Sequence, residues 1–163
     1  FRQVLPIASI VTESILEIIT NIVVMAVLLL AAYYIGITPQ VEDPIWVLIY
    51  LFEIQLMAYC LGTIFALMKA FIGEMSKVES IVQRPTIFIS GAFFSLNDLP
   101  PEAWPYLSWN PILQALELAR NACYPAYLNP PAISASYLHL CVLVMFFLAL
   151  SMYIVLWKKA ISR

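Results

Sequence analysis

The chain has 163 residues, of which 63% are hydrophobic and 11% charged, and its formal net charge is −2. Globular domains are about 45–50% apolar and about 25% charged, so this composition excludes an ordinary soluble domain. The chain also lacks a basic tract interleaved with aromatics, which leaves nucleic-acid binding without a footprint.

The apolar residues come in runs that match the ~20 residues a helix needs to cross a bilayer, so the fold class is all-α integral membrane. The chain begins at Phe1 without a signal-peptide layout, and it is read as the remaining part of a longer chain. Residues 1–14 predict a short amphipathic lead-in, with Arg2 and Pro6 ahead of an N-cap at Thr12 or Ser14. Glu13 and Glu17, four apart, share a helix face near the membrane boundary. The first span is predicted over 15–36, with Tyr33 and Tyr34 in the interface belt and Gly36 as the helix stop.

Residues 38–44 form a polar loop holding Glu42 and Asp43 but no Lys or Arg. A second span is predicted over 45–68, opened by Trp46 and followed by Lys69. It carries Glu53, a group that costs ~2.5–3.5 kcal/mol to insert and so must face protein or water. A pathway or gate role and a packing hydrogen bond between helices are both open for it. Residues 70–84 are polar, with Lys77 and Arg84, and Pro85 restarts the chain for a short third span over 85–97. Beyond a broken stretch at 98–128, residues 137–157 form a last span ahead of Lys158, Lys159 and Arg163.

Cys60, Cys123 and Cys141 are an odd number with no CxxC spacing; Cys60 and Cys141, inside apolar runs, read as small buried hydrophobes. His139, the single histidine, reads as a polar residue satisfied near a span's end rather than a metal ligand.

Apart from Arg120, every Lys and Arg lies before the first span, between the second and third, or after the last. Lys and Arg excess marks the cytoplasmic side. Four spans then put both ends of the chain in the cytoplasm, and the 38–44 loop and the 98–128 region outside.

Five of the eleven prolines (Pro100, Pro101, Pro105, Pro111 and Pro125) fall between Ser90 and Tyr127. Lipid-exposed irregular backbone is not tolerated in hydrocarbon, so this stretch must cap or line a cavity, or lie at the interface. Within it Asn110 is an N-cap and Pro111 suits the first helical position. Ile112, Ala115, Leu116, Ala119, Ala122 and Cys123 then make an apolar face, opposite Gln114, Glu117 and Asn121. Glu117 and Arg120, three apart, can neutralise each other and let the helix lie at or dip into the interface. The result is an external re-entrant hairpin. Trp104, Tyr106, Trp109, Tyr124 and Tyr127 are candidates for a substrate pathway, since aromatic rings pack on the C–H faces of sugars; an interface belt is the competing role.

The four glycines, Gly36, Gly62, Gly73 and Gly91, include none followed by Lys, so the chain has no P-loop. GxSxG, HExxH and SxxK patterns are also absent, which argues against intrinsic enzymatic activity.

In its motifs the chain resembles the membrane subunit of ABC-2 type exporters, in the capsule and cell-surface polysaccharide branch. The matching residues are Ser90-Gly91 with its following aromatics, Asp98-Leu99-Pro100, Trp109-Asn110-Pro111, Glu117-Leu118-Ala119-Arg120 and the Tyr124/Tyr127 pair. The likeness covers the later part of a family member, without its N-terminal helix and first two spans. It implies a permease half in a bacterial inner membrane that pairs with a second copy and with two separate ATPase subunits, which bind ATP and Mg. The cargo so implied is a glycan or lipid-linked glycan, with periplasmic export proteins as further partners. Phe1, Arg2 and Gln3 would fall in the region that touches the ATPase. An ABC-2 exporter of a lipid or small amphiphilic drug would share this fold. A reading from another class is an ion-coupled carrier or channel using Glu53, which calls for polar residues in several spans.

Overall fold

In hydrocarbon every backbone N–H and C=O must be satisfied within its own segment, and long apolar runs therefore become long helices. The computed structural model describes residues 6–36, 41–124, 126–128 and 130–161, with side chains described between 11 and 158. Among these residues all regular structure is helical. Among the described residues, three helices are long and apolar enough to cross a membrane: Val11–Tyr34, Pro44–Lys69 and Ala135–Lys158. The protein is a multi-pass membrane protein. It divides into two units, residues 1–40 and 41–163.

The first unit is helix α1 (Pro6–Tyr34). Thr12 and Ser14 lie inside it and do not cap it. Gly36 closes the helix as predicted: its φ is +82° and its N–H donates to the Tyr33 carbonyl at 3.1 Å.

In the second unit, α2 (Pro44–Lys69) packs against α6 (Ala135–Ile161). Glu53 meets His139, and further along Met57 and Leu61 share a cavity wall with Met145. Positions advance together, so the two helices run in the same direction. Their C-terminal ends, with Lys69 and Lys158, stand at one end of this unit.

Two helices running the same way require the chain between them to return, and a continuous 85–97 span does not provide that return. Helix α3 is Met75–Ile89, beginning ten residues before the predicted start and ending inside the predicted span. Pro85 lies within this helix instead of preceding it. Its ring removes the N–H that would have paired with the Ile81 carbonyl. One residue on, the Thr86 hydroxyl donates to the Val82 carbonyl at 2.7 Å, next to the Ile81 carbonyl that loses its amide partner. The polar start of α3 is anchored by Lys69–Glu79 at 2.5 Å and by a Lys77–Glu74 pair. At 15 residues α3 is ~22 Å long, too short to cross alone.

The second half of the return is α5 (Pro111–Cys123), which runs opposite to α2. Ile112 lies beside Met57 and Leu61, while the Ala122 carbonyl accepts the Asp43 N–H at 3.0 Å. Within this unit the return between α2 and α6 is made in two pieces, α3 and α5, in place of one continuous helix. Between α3 and α5 come 3-10 turns at Leu96–Asp98 and Pro101–Ala103 and the short α4 (Trp104–Leu107).

The core joins Tyr50 and Met57 of α2 and Leu138 and Val142 of α6 to Ala115, Leu118, Ala119 and Ala122 of α5. Three alanines on one face let α5 approach both neighbours closely, the means by which helices associate where lipid supplies no hydrophobic drive.

Candidate functional site

The re-entrant region is built from its caps outward. The Asn110 side chain accepts the Ile112 N–H at 3.0 Å and donates to the Ile89 carbonyl at 3.1 Å. One residue therefore starts α5 and ties it to the end of α3. Ser95 and Asp98 form a capping box around the first 3-10 turn: Ser95 Oγ accepts the Asn97 N–H and Asp98 Oδ2 accepts the Ser95 N–H, each at 3.1 Å. The spacing of this pair is legible in the sequence, although sequence reasoning does not single it out as a site.

The chain between α3 and that turn is folded around Glu117 and Arg120. Glu117 is 0% exposed. Its Oε1 accepts the Leu96 N–H at 3.0 Å and Arg120 Nη1 at 2.7 Å, and its Oε2 accepts the Tyr127 hydroxyl. Arg120 also donates to the carbonyls of Phe94 at 2.9 Å and Gly91 at 2.5 Å. The Ser95 hydroxyl lies 2.5 Å from the Tyr127 oxygen, and Asn97 Nδ2 donates to the Leu128 carbonyl at 2.9 Å. The planar guanidinium, with five donors, spans two carbonyls and a carboxylate at once. Burial, and after it the bond to Glu117, raises the Tyr127 pKa and holds the phenol as a neutral donor.

Gly91 has φ +78°, and a Cβ built there would meet Leu113 at 3.3 Å. Both the backbone and the packing call for glycine. Ser90, Gly91, Asp98, Asn110, Pro111, Glu117 and Arg120 thus belong to one folded unit, which accounts physically for motifs that the sequence shows only as separated pieces.

The polar face of α5 forms the inside of this unit. Gln114 is buried like Glu117: Nε2 donates to the Ser108 and Ala132 carbonyls at 2.6 and 3.1 Å, and Oε1 accepts the Ser134 N–H at 2.8 Å. Asn121 donates to the Tyr127 carbonyl at 2.8 Å. Irregular backbone on both sides of α5 supplies polar groups that need partners, and the helix provides them.

The five aromatics separate into two sets. Trp104 is half-buried and gives its indole N–H to the Leu96 carbonyl at 2.9 Å; Tyr127 is half-buried with its hydroxyl in the Glu117 network. Tyr106, Trp109 and Tyr124 keep open rings, 78%, 65% and 62% exposed.

Glu53 lies apart from all of these, between α2 and α6, with Oε1 2.5 Å from His139 Nδ1. Its Oε2 is buried without a hydrogen-bond partner. Nothing in the sequence links Glu53 to His139; only the co-directional packing of α2 and α6 brings them together. Phe1, Arg2 and Gln3 lie outside the described residues. Among the described residues, no three His, Cys, Asp or Glu side chains group to hold a metal ion. Cys60, Cys123 and Cys141 are free thiols.

Known proteins share this sequence pattern. The family described as ABC-2 type transporter matches residues 4–124. Over 153 residues the chain is 30% identical to the polysialic acid transport protein KpsM of Escherichia coli, covering 94% of this chain and 59% of that protein. Over 127 residues it is 28% identical to the capsule polysaccharide export inner-membrane protein BexB of Haemophilus influenzae, covering 76% of this chain and 46% of the other. The chain spans about half the length of these relatives.

Proposed function

The chain belongs to the ABC-2 type transporter family, and from that premise we propose that it is part of a permease exporting a capsular or other cell-surface polysaccharide across a bacterial inner membrane. The observation that carries the reading is the likeness, over 94% of the chain, to a relative named for polysialic acid transport. In this reading, two copies of the permease work with two separate ATPase subunits. ATP and Mg bind on those subunits, in keeping with a chain that has no P-loop.

Lys69 and Lys158, which share one end of the second unit, support a cytoplasmic location for that end. The re-entrant unit then lies towards the outer face and serves as an outer gate. A gate that a polymer slides past needs a rigid frame and many weak contacts. The Glu117–Arg120–Tyr127 network supports the frame, and the open rings of Tyr106, Trp109 and Tyr124 support the contacts. Trp104 and Tyr127 are assigned to the frame and not to the path.

The test is removal of the full-length gene from a cell that makes a surface polysaccharide. Loss of surface polymer with accumulation inside, together with recovery of an ATP-hydrolysing subunit alongside the tagged protein, is the expected result. Unchanged surface polymer would overturn the reading. One observation favours a second reading, export of a lipid or small amphiphile: a cavity of about 240 Å³ lined by Met57, Leu61, Ile89, Ile112 and Met145. Accumulation of such a compound, with surface polymer intact, would select it. The pairing of Glu53 with His139 supports a packing role for that carboxylate over an ion-coupled one.

A further inference from the structure

Trp109 contributes to the walls of two hollows. One is the largely apolar cavity walled by Met57 and Met145, which Trp109 also lines. The other, about 270 Å³, is lined by Ser108, Trp109, Gln114, Ala132, Ser134 and Tyr137. The walls of this second hollow are held by specific bonds. Gln114 ties the Ser108 and Ala132 carbonyls and the Ser134 N–H to α5, and the Tyr137 hydroxyl donates to the Trp109 carbonyl at 2.7 Å. Residues 108–109, α5 through Gln114, and the stretch from 132 into the first turn of α6 are therefore tied together around one space.

Its lining contains two aromatic rings, two serines and no Lys, Arg, Asp or Glu. Its volume falls just under the ~300–1,000 Å³ of pockets that enclose drug-sized ligands, so it has room for a single ring-sized group. Aromatic faces pack on apolar C–H surfaces, and serine hydroxyls both donate and accept. A pyranose offers those two kinds of surface together.

We propose that this hollow is a subsite for one pyranose residue of the exported chain. Trp109 and Tyr137 supply the ring platform and Ser108 and Ser134 the hydroxyl contacts, while Gln114 is a positioning residue that holds the walls. The proposal rests on the polysaccharide reading and adds α6 to the pathway, which the aromatic-rich stretch alone does not reach. With no charged side chain in the lining, binding depends little on ionic strength even when the polymer carries acid groups elsewhere.

The experiment uses the full-length protein with Cys60, Cys123 and Cys141 replaced by alanine, reconstituted in lipid nanodiscs. Maleimide labelling of Ser134→Cys is timed with and without oligosaccharides cut from the producing cell's own surface polymer. At concentrations well above the dissociation constant, labelling is expected to slow about fivefold by mass action, whereas Glu102→Cys, exposed on the second 3-10 turn, labels at an unchanged rate. In cells, Ser134→Phe fills the hollow and is expected to cut surface polymer severalfold at normal membrane levels of the protein. Equal labelling rates at Ser134→Cys with and without oligosaccharide, or native export by Ser134→Phe, would overturn the subsite while leaving the exporter reading intact. Surface polymer that survives removal of the whole chain would overturn the exporter reading, and the subsite with it.

Discussion

Glu117 and Glu53 are both carboxylates set among apolar helices, but the protein houses them differently. Glu117 accepts from a backbone N–H, a guanidinium and a phenol, so each of its oxygens has a donor. Glu53 has His139 on one oxygen, and its other oxygen is buried without a partner. A buried charge whose lone pairs are satisfied rigidifies its surroundings, whereas a partly satisfied one is a point of weakness. The first holds irregular backbone in place where no regular hydrogen-bond ladder exists. The second joins two long helices that already satisfy their own backbones and need less help.

This contrast can be broken from the Arg120 side first. Arg120→Ala leaves Glu117 buried without its counter-charge and is expected to cost ~3–5 kcal/mol, read as a lower denaturation midpoint in detergent and reduced membrane levels. Arg120→Lys recovers only part, because one ammonium cannot serve the Gly91 and Phe94 carbonyls and the carboxylate together.

Paired replacements sharpen the comparison. Glu53→Leu with His139→Leu removes both partners of a two-member contact and is expected to leave stability at or above the native level. Glu117→Leu with Arg120→Leu strands the Leu96 N–H and two carbonyls, each costing about 1–3 kcal/mol, and leaves the Tyr127 hydroxyl with Ser95 alone. Equal outcomes in the two pairs, by the same unfolding measurement, would remove the distinction.

Gly91→Ala tests the frame from its backbone. The left-handed conformation costs a residue with a Cβ about 1–2 kcal/mol, before the 3.3 Å approach to Leu113 is relieved. Thermal denaturation should show the loss, and Gly62→Ala, with open space around the site, should not.

The smallest stability effects separate the two tryptophans. Trp104→Phe loses the bond to the Leu96 carbonyl, worth about 0.5–1.5 kcal/mol. Trp109→Leu should stay within about 0.5 kcal/mol of native stability, because its ring is largely exposed, and yet reduce export of surface polymer. The reverse pattern would assign Trp109 to the frame instead of the path.

Much of the local structure is legible in the sequence. Asn110-Pro111 as the start of a helix, the Glu117–Arg120 pair and the stop at Gly36 are local matters, set by residues within a few positions of one another. The third crossing is not legible in the same way, because Pro85 taken alone looks like a helix break. Whether a proline ends a helix or sits inside one depends on the neighbours that satisfy the freed carbonyl. The orientation of α5 escapes the sequence for a related reason. A polar stripe on a short helix has the same pattern whether it faces water or a folded loop.

Short-range chemistry and the bilayer as solvent are written into the sequence itself. They determined a helical membrane protein, the two long helices of its second unit to within a few residues, and a broken segment rich in caps. The tertiary structure alone decided the features that depend on residues far apart in the chain. It set α2 and α6 in the same direction, divided the return between α3 and α5, brought Glu53 to His139 across 86 positions, and turned Gln114 and Glu117 inward. Pairings over such distances are fixed by how whole helices pack, and a one-dimensional pattern of polarity does not specify which buried donor will meet which acceptor.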